Sequence, residues 1–357
     1  MAHTPAVPVD MTAAVLTGFG GPEALRLQRV PVPVPGPGEV LIRVAAAAIN
    51  NTDVWTRQGA YGLPGRPDAL AGWRGPIAFP RIQGGDIAGT VVRVGDDVVG
   101  EWVGRRVLVD PAIYDRPSDD ANPVGLLGSE ADGGFAEYVT ARADQIHDAS
   151  SSPLTDEQLA CLPIAYGTAM GMLERGRLRE GETTLVTGAS GGVGLAAVQL
   201  AAARGARVVA LTTPDKSDAI LDAGAAAVVH RDGDPATTAA AIAEVAPDGL
   251  DAVIDVVGGP LLPAVLGRVR DGGRWVIAGA VGGARIELDL RRLYLHNISL
   301  VGSSMHTPAH FRRLVDDAVT GAIHPRVAHL FPLGAIHAAQ EAFGRSDYVG
   351  KIVLTPP

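Results

Sequence analysis

Along the first 150 residues, short β-branched apolar runs recur between glycine and proline punctuation, at 13–16, 39–44, 89–94, 106–109 and 135–139. Runs of that length and composition predict strands, so this stretch reads as β-rich. Residues 31–37, where proline alternates with valine, predict an extended connector, because proline fixes φ and removes a backbone donor. From Thr155 the rhythm changes. Apolar runs at 184–186, 207–211, 226–229, 252–257, 275–279 and 298–302 alternate with helix-forming stretches. Strands this uniformly apolar belong to a parallel sheet covered by helices on both faces. A helical stretch at 309–320 and a strand at 351–354 close the chain. Two proline- and glycine-rich segments, 61–80 and 110–132, are long for loops of a compact domain and read either as functional loops or as surface insertions.

Seven residues, Gly188-Ala189-Ser190-Gly191-Gly192-Val193-Gly194, join the run at 184–186 to a helix-forming stretch at 195–203. A buried strand, a glycine turn and a helix start make a seat for a dinucleotide pyrophosphate. Glycine lets the backbone approach the phosphates, whose charge then faces the N–H groups at the helix start. The run at 207–211 follows at the distance a βαβ unit requires. The same turn fits the Thr-Gly-x-x-x-Gly-x-Gly pattern of short-chain dehydrogenases, which place it near the start of the chain and carry a Tyr-x-x-x-Lys pair. Here the turn lies past the midpoint, and the two lysines, Lys216 and Lys351, have Thr212 and Asp347 four residues before them. That reading fails.

A length of 357 residues suffices for two domains, each with its own core. The formal charge of −9 and the lack of basic runs argue against nucleic acid or an anionic membrane as a partner. No uninterrupted apolar stretch reaches transmembrane length, and the start of the sequence lacks signal-peptide features. Cys161 stands alone, which removes internal disulfides and cysteine-rich zinc sites and fits a reducing, cytoplasmic setting.

The order of further motifs carries a resemblance. Residues 13–23, Pro35-Gly36-Pro37-Gly38-Glu39-Val40-Leu41, Asn50-Asn51-Thr52-Asp53, Gly84-Gly85-Asp86-Ile87-Ala88-Gly89, the late glycine turn and Gly350-Lys351-Ile352-Val353-Leu354 follow one another as in the medium-chain dehydrogenase/reductases. Within that superfamily the chain resembles the zinc-independent quinone oxidoreductase branch. The resemblance implies an α/β fold in which a GroES-like β-rich catalytic domain, split into 1–154 and 309–357, surrounds a Rossmann doubly wound parallel-sheet domain at 155–308. Zinc-dependent relatives carry Cys where this chain has Asn50, and a His-Glu pair where it has Gly85-Asp86. Catalytic zinc wants three thiolate, imidazole or carboxylate ligands, so no zinc is expected. His306 and His310 have helix-face spacing, but Pro308 between them suggests a helix start, and both read as ordinary surface or interface residues.

An NAD enzyme usually ends its second strand with an acid that holds the ribose hydroxyls. This strand ends in Thr212 and Thr213, with Lys216 beyond, a set that suits a 2′-phosphate; Asp215 is the counter-evidence, and a solvated Lys216 is the alternative. The resemblance adds Lys351 as a second cationic contact and Thr168 as a contact to the nicotinamide ribose. Gly258, Gly279 and Ala280 end strands at the carboxyl edge, where ligands of such sheets lie. NADP(H) is therefore the expected cofactor. Without a Lewis acid, conjugate reduction of an enone remains feasible, because hydrogen-bond donors can hold the enolate oxygen. By resemblance the substrate segment spans Asn50 to Tyr61. Asn50 reads as a donor to substrate or nicotinamide, or as a turn-stabilising amide; Asp53 reads as an orienting group. Trp55 reads as an apolar wall, and Tyr61 as a general acid or enolate donor, or as packing. The expected activity is reduction of quinones or α,β-unsaturated carbonyl compounds. A tailoring reductase of specialised metabolism and a catalytically quiet NADP-binding protein are the alternatives. A homodimer through residues 297–304 is expected from an exposed apolar strand edge.

Overall fold

The computed structural model describes residues 7–231 and 233–357. The chain divides into two units, one of the described residues up to Ile164 with Thr307–Asp347 and Lys351–Pro357, the other of Ala165–His306 with Tyr348–Gly350.

In the first unit a mixed sheet runs in the order Ile146–Asp148, Arg106–Val109, Ala88–Val94, Glu39–Ala48, Lys351–Thr355, Val327–Pro332, and Tyr138–Arg142 also pairs with Glu39–Ala48. A second sheet sets Asp10–Leu16 between Leu25–Pro31 and Arg81–Ile82. The closing strand pairs antiparallel to Glu39–Ala48 with Val353 opposite Ala48 and Leu354 opposite Ala47. Extending that register brings Lys351 beside Asn50, across three hundred residues of sequence. The helix Asn51–Gln58 starts there. The Asn50 N–H donates to Asp53 Oδ2 at 2.7 Å, which satisfies a backbone donor at the helix start. Gly59, at φ 67°, ends the helix in the left-handed region where a side chain is strained.

Two expectations change here. The strand expected at 135–139 begins at Tyr138. Before it, the chain lies flat on residues 83–84: Phe135 N–H donates to Gln83 O at 2.8 Å, and a Cβ on Gly133 would stand 2.2 Å from Gly84 O. The segment 110–132 is not without structure, since Ala112–Tyr114 and Pro123–Leu126 pair as an antiparallel ladder.

In the second unit six parallel strands, β1 (Thr183–Val186), β2 (Arg207–Thr212), β3 (Ala227–His230), β4 (Leu250–Asp255), β5 (Val269–Ile277) and β6 (Ser299–Gly302), stand in the order β3-β2-β1-β4-β5-β6. The order reverses at β1, which puts a topological switch point at its carboxyl end. The helix Gly192–Ala203 follows β1, and Pro235–Val245 precedes β4. Leu185, Val209, Val253, Ile242 and Trp275 belong to one buried apolar cluster, as strands covered by helices require. The helix expected at 309–320 spans Pro308–Thr320, with the Thr307 hydroxyl accepting from His310 N–H at its start. His306 departs from expectation: it is fully buried, because a glycine at 167 admits its ring where a Cβ would lie 2.3 Å from Nδ1. No helix among the described residues is long and apolar enough to cross a membrane.

Candidate functional site

The glycine turn has the geometry its sequence implies. Gly188 stands at φ 57°. A Cβ on Gly194 would lie 2.1 Å from Gly188 O, so the third glycine is what lets helix and strand pack. Gly191 precedes the helix Gly192–Ala203, whose first amides have no acceptor within the helix. The first helical bond is Leu195 N–H to Gly191 O, which leaves Gly192, Val193 and Gly194 to face a ligand. The Ser190 carbonyl receives Gly350 N–H at 3.3 Å, which ties the closing motif to this turn.

Asp255, at the end of β4, is completely buried and organises the next turn. Its Oδ1 accepts the Thr187 hydroxyl at 2.6 Å and the amides of Val257 and Gly258 at 2.9 Å each, and Oδ2 accepts Trp275 Nε1–H at 2.9 Å. This fixes Gly258 at φ 68° beside Gly279, whose own Cβ would meet Val256 O at 2.2 Å. Ala280 follows, partly exposed. At the end of β2, Thr212 is buried, and among the described residues its hydroxyl has no partner. Thr213 hydrogen-bonds the exposed Asp215 and holds that carboxyl below its ordinary range. Lys216 is partly exposed one residue further on, and Thr168 lies buried in the first turn of Gly167–Arg175. An orphaned buried hydroxyl, free amides and a cradle that a Cβ would fill together fit a dinucleotide.

In the first unit, Asp86 is wholly buried. Its Oδ2 accepts Lys351 Nζ at 2.9 Å and Asn50 Nδ2 at 2.8 Å, and its Oδ1 accepts Ile164 N–H at 2.6 Å. The Lys351 ammonium also donates to Ile49 O at 3.0 Å and, at short range, to Asn50 Oδ1. Every proton of the ammonium thus has an acceptor, and both Asn50 amide hydrogens are engaged, the second with Ala48 O at 3.3 Å. Two expectations are corrected. Lys351 is not a solvent-facing contact for a phosphate, because Asp86 holds it inside. Asn50 is not poised to donate to a ligand, because its amide bridges Asp86 and Lys351.

The same cluster decides the fit of a zinc ion. The position of Asn50 offers an amide already bonded at both ends, and Gly85 offers no ligand atom, a Cβ there already standing 3.0 Å from Ile164 Cδ1 and 3.1 Å from Leu127 O. A buried ammonium already neutralises the Asp86 carboxylate. These residues do not fit the metal. Among the described residues no group of three His, Cys, Asp or Glu is placed to hold one. Cys161 is buried, its Sγ lies 3.2 Å from Glu157 O, and burial pushes its thiol up to about 12.

Beside this cluster, Asp53 is 2% exposed, and burial raises its carboxyl to about 7 against the opposing pull of the Asn50 amide. Gln83 Nε2–H donates to Asp53 O at 2.8 Å. The Tyr61 hydroxyl donates to Thr52 Oγ1 at 2.6 Å, and the Trp55 ring meets Tyr61 edge-on, with centroids 5.5 Å apart. Burial drives the Tyr61 phenol well above its ordinary value. Sequence reasoning missed Thr52, Asp86 and Asp255 as working residues. For the two acids a signal existed: each stands inside an otherwise apolar run, where a carboxylate persists only with donors or a cation.

The "Alcohol dehydrogenase GroES-like domain" family matches residues 36–151, and the "Zinc-binding dehydrogenase" family matches residues 192–320. The chain is similar to the acryloyl-coenzyme A reductase of Metallosphaera sedula, at 31% identity over 327 residues covering 89% of this chain and 92% of that one. It is similar to the quinone oxidoreductase of Mus musculus, at 31% identity over 355 residues covering 96% and 97%. Among solved structures, a candidate alcohol dehydrogenase from Sinorhizobium meliloti 1021 superposes with a TM-score of 0.93 at 46% identity, over 98% of both chains.

Proposed function

The chain belongs to the medium-chain dehydrogenase/reductase superfamily, and on that premise we propose that it reduces quinones or other α,β-unsaturated carbonyl compounds with NADPH and without zinc. It is an oxidoreductase that uses a nicotinamide cofactor. The observation that carries the finer reading is the closed cluster of Asn50, Asp86 and Lys351, which leaves hydroxyls rather than a Lewis acid to meet a substrate oxygen. Direct carbonyl reduction leans on a Lewis acid. Conjugate reduction does not, because charge moves from the β-carbon onto an enolate oxygen that donors alone can hold.

When bound, the cofactor supplies the hydride. Thr52 accepts from Tyr61, so the Thr52 hydroxyl keeps its own hydrogen for the enolate oxygen. Polarisation along a hydroxyl pair strengthens the outer bond. Burial keeps Tyr61 neutral through the physiological range, so it acts as a donor, and the proton that completes reduction comes from solvent. Trp55 offers an apolar face beside this pair. Asp53 holds the start of the helix that carries Thr52. The unsaturated thioester named for one relative and the quinone named for another fall within the same chemical class.

NADPH is favoured over NADH by the end of β2, where hydroxyls and a lysine stand in place of an acid. Thr52→Ala and Tyr61→Phe are expected to lower kcat for enones about a hundredfold or more for the first, and less for the second. Steady-state kinetics with NADPH and a series of enones and quinones reads this. An unchanged kcat in both variants would remove the hydroxyl pair from the mechanism.

A further inference from the structure

The segments 61–80 and 110–132 meet through two adjacent side chains. Glu130 Oε1 accepts Arg74 N–H at 2.9 Å and the Ser129 hydroxyl at 3.1 Å, while Oε2 accepts Leu126 N–H at 2.9 Å. Ser129 Oγ in turn accepts Trp73 N–H at 3.0 Å. Consecutive amides of one loop are thus held by consecutive side chains of the other. Ser129 is fully buried, and Gly72 runs so close that a Cβ there would stand 2.8 Å from its hydroxyl.

Each loop also has its own anchor. Ala71 N–H donates to Gly59 O at 3.1 Å, pinning the first loop to the end of the helix that carries Thr52 and Trp55. Gly128 presses on the chain at Gly84, where its Cβ would be 2.6 Å from Gly84 N. Between the anchors, Gly62 at φ 70° and Gly65 at φ 72° give the first loop turns with no side chain to pack. Within the loop Leu63 and Arg66 exchange N–H···O bonds at 3.0 and 2.8 Å, which close a local turn, and beyond that turn its far end at Trp73 and Arg74 is held by Ser129 and Glu130.

We propose that Ser129 and Glu130 form a latch that fixes the loop running from Tyr61 to Trp73, and thereby limits the size of the unsaturated substrate that reaches the Tyr61 and Thr52 hydroxyls. The inference rests on the reading of the Thr52 hydroxyl, backed by Tyr61, as the substrate donor. The chemistry requires a carboxylate at 130. Its two oxygens accept only, so both loops' amides are satisfied together, whereas a glutamine would turn an NH2 toward one of them.

The full-length protein with NADP bound supplies the test, in the variants Ser129→Ala and Glu130→Gln. Arg74 is exposed and followed by Gly75, while Arg66 is followed by Pro67, which trypsin does not cut, so tryptic cleavage after Arg74 reports the latch. Cleavage is expected to quicken about tenfold in each variant. The ratio of kcat/KM for a bulky naphthoquinone to that for a four-carbon enone should rise by a similar factor, with kcat for the small enone nearly unchanged. Unaltered cleavage in both variants would overturn the latch. Faster cleavage with an unaltered substrate ratio would overturn its role in selection. A parent protein that turns over no enone or quinone contradicts the function proposed above, not the latch, and cleavage after Arg74 then decides the latch alone.

Discussion

Asp53 lies against Asp86 and Lys351 with its carboxyl raised by burial from 3.8 to about 7. Below 3.8 both folded and unfolded chains hold that proton, and the stabilising difference is fully present. Between about pH 4 and 7 the folded chain keeps a proton that the unfolded chain has released, so this contribution falls as pH rises, by at most about 1.4 kcal/mol per unit. Above about 7 it is lost. Asp53→Asn keeps the shape and the acceptor for Asn50 N–H but cannot titrate. Urea unfolding at a series of pH values is expected to show a flatter stability curve for the variant in that window; parallel curves would show that Asp53 ionises normally. The residues of this cluster were partly legible. Asp53 was read as an orienting group, and the structure joins its carboxyl to the Asn50 amide. The sequence leaves Asn50 open between a ligand donor and a turn-stabilising amide and reads Lys351 as a phosphate contact, because nothing local announces that a C-terminal strand will set its first residue against position 50. Breaking such a buried pair by removing one partner typically costs about 3–5 kcal/mol, because the other charge is left uncompensated.

At the level of elements, the six parallel strands and the glycine turn are legible because such strands declare themselves as apolar runs and the turn as glycines at fixed offsets, whereas their order in the sheet is not. The strand Leu25–Pro31 is not legible either, since five of its seven residues are exposed, Leu27 among them, and its apolar positions mark no buried face. The bonding of the two long loops was invisible as well, because Ser129 and Glu130 look like any turn residues until Trp73 and Arg74 meet them. The end of β2 carries the cofactor prediction. Lys216→Ala is expected to raise the KM for NADPH about ten- to a hundredfold, the worth of a charge-assisted bond to phosphate. The KM for NADH should stay unchanged, and so should kcat. A 2′-phosphate is remote from the reacting carbon, so its contacts bind ground and transition states alike. Initial rates with each cofactor read this, and an unchanged preference would move the selectivity away from β2.

For the whole molecule, the outer edge of the parallel sheet is the feature that points to assembly. Among the described residues β6 pairs only with β5, and Leu300 on it is 39% exposed, with Leu290, Tyr294 and Leu295 exposed just before. Ile298, expected as part of that apolar face, is instead buried in the core of the same unit. An unprotected apolar edge is a pairing site, and a twofold contact through it closes after two copies. Sedimentation at micromolar concentration is expected to give a dimer, and Leu300→Lys a monomer; a monomeric parent would rule out pairing at this edge. The central claim concerns chemistry, that hydroxyls and a buried ammonium stand where relatives use a metal. It is tested most directly by the rate of NADPH oxidation with an enone after exhaustive chelation, with zinc counted on the same sample. The account predicts an undiminished rate at far less than one zinc per chain. One zinc retained per chain before chelation, with turnover lost on its removal and regained on its return, would contradict it.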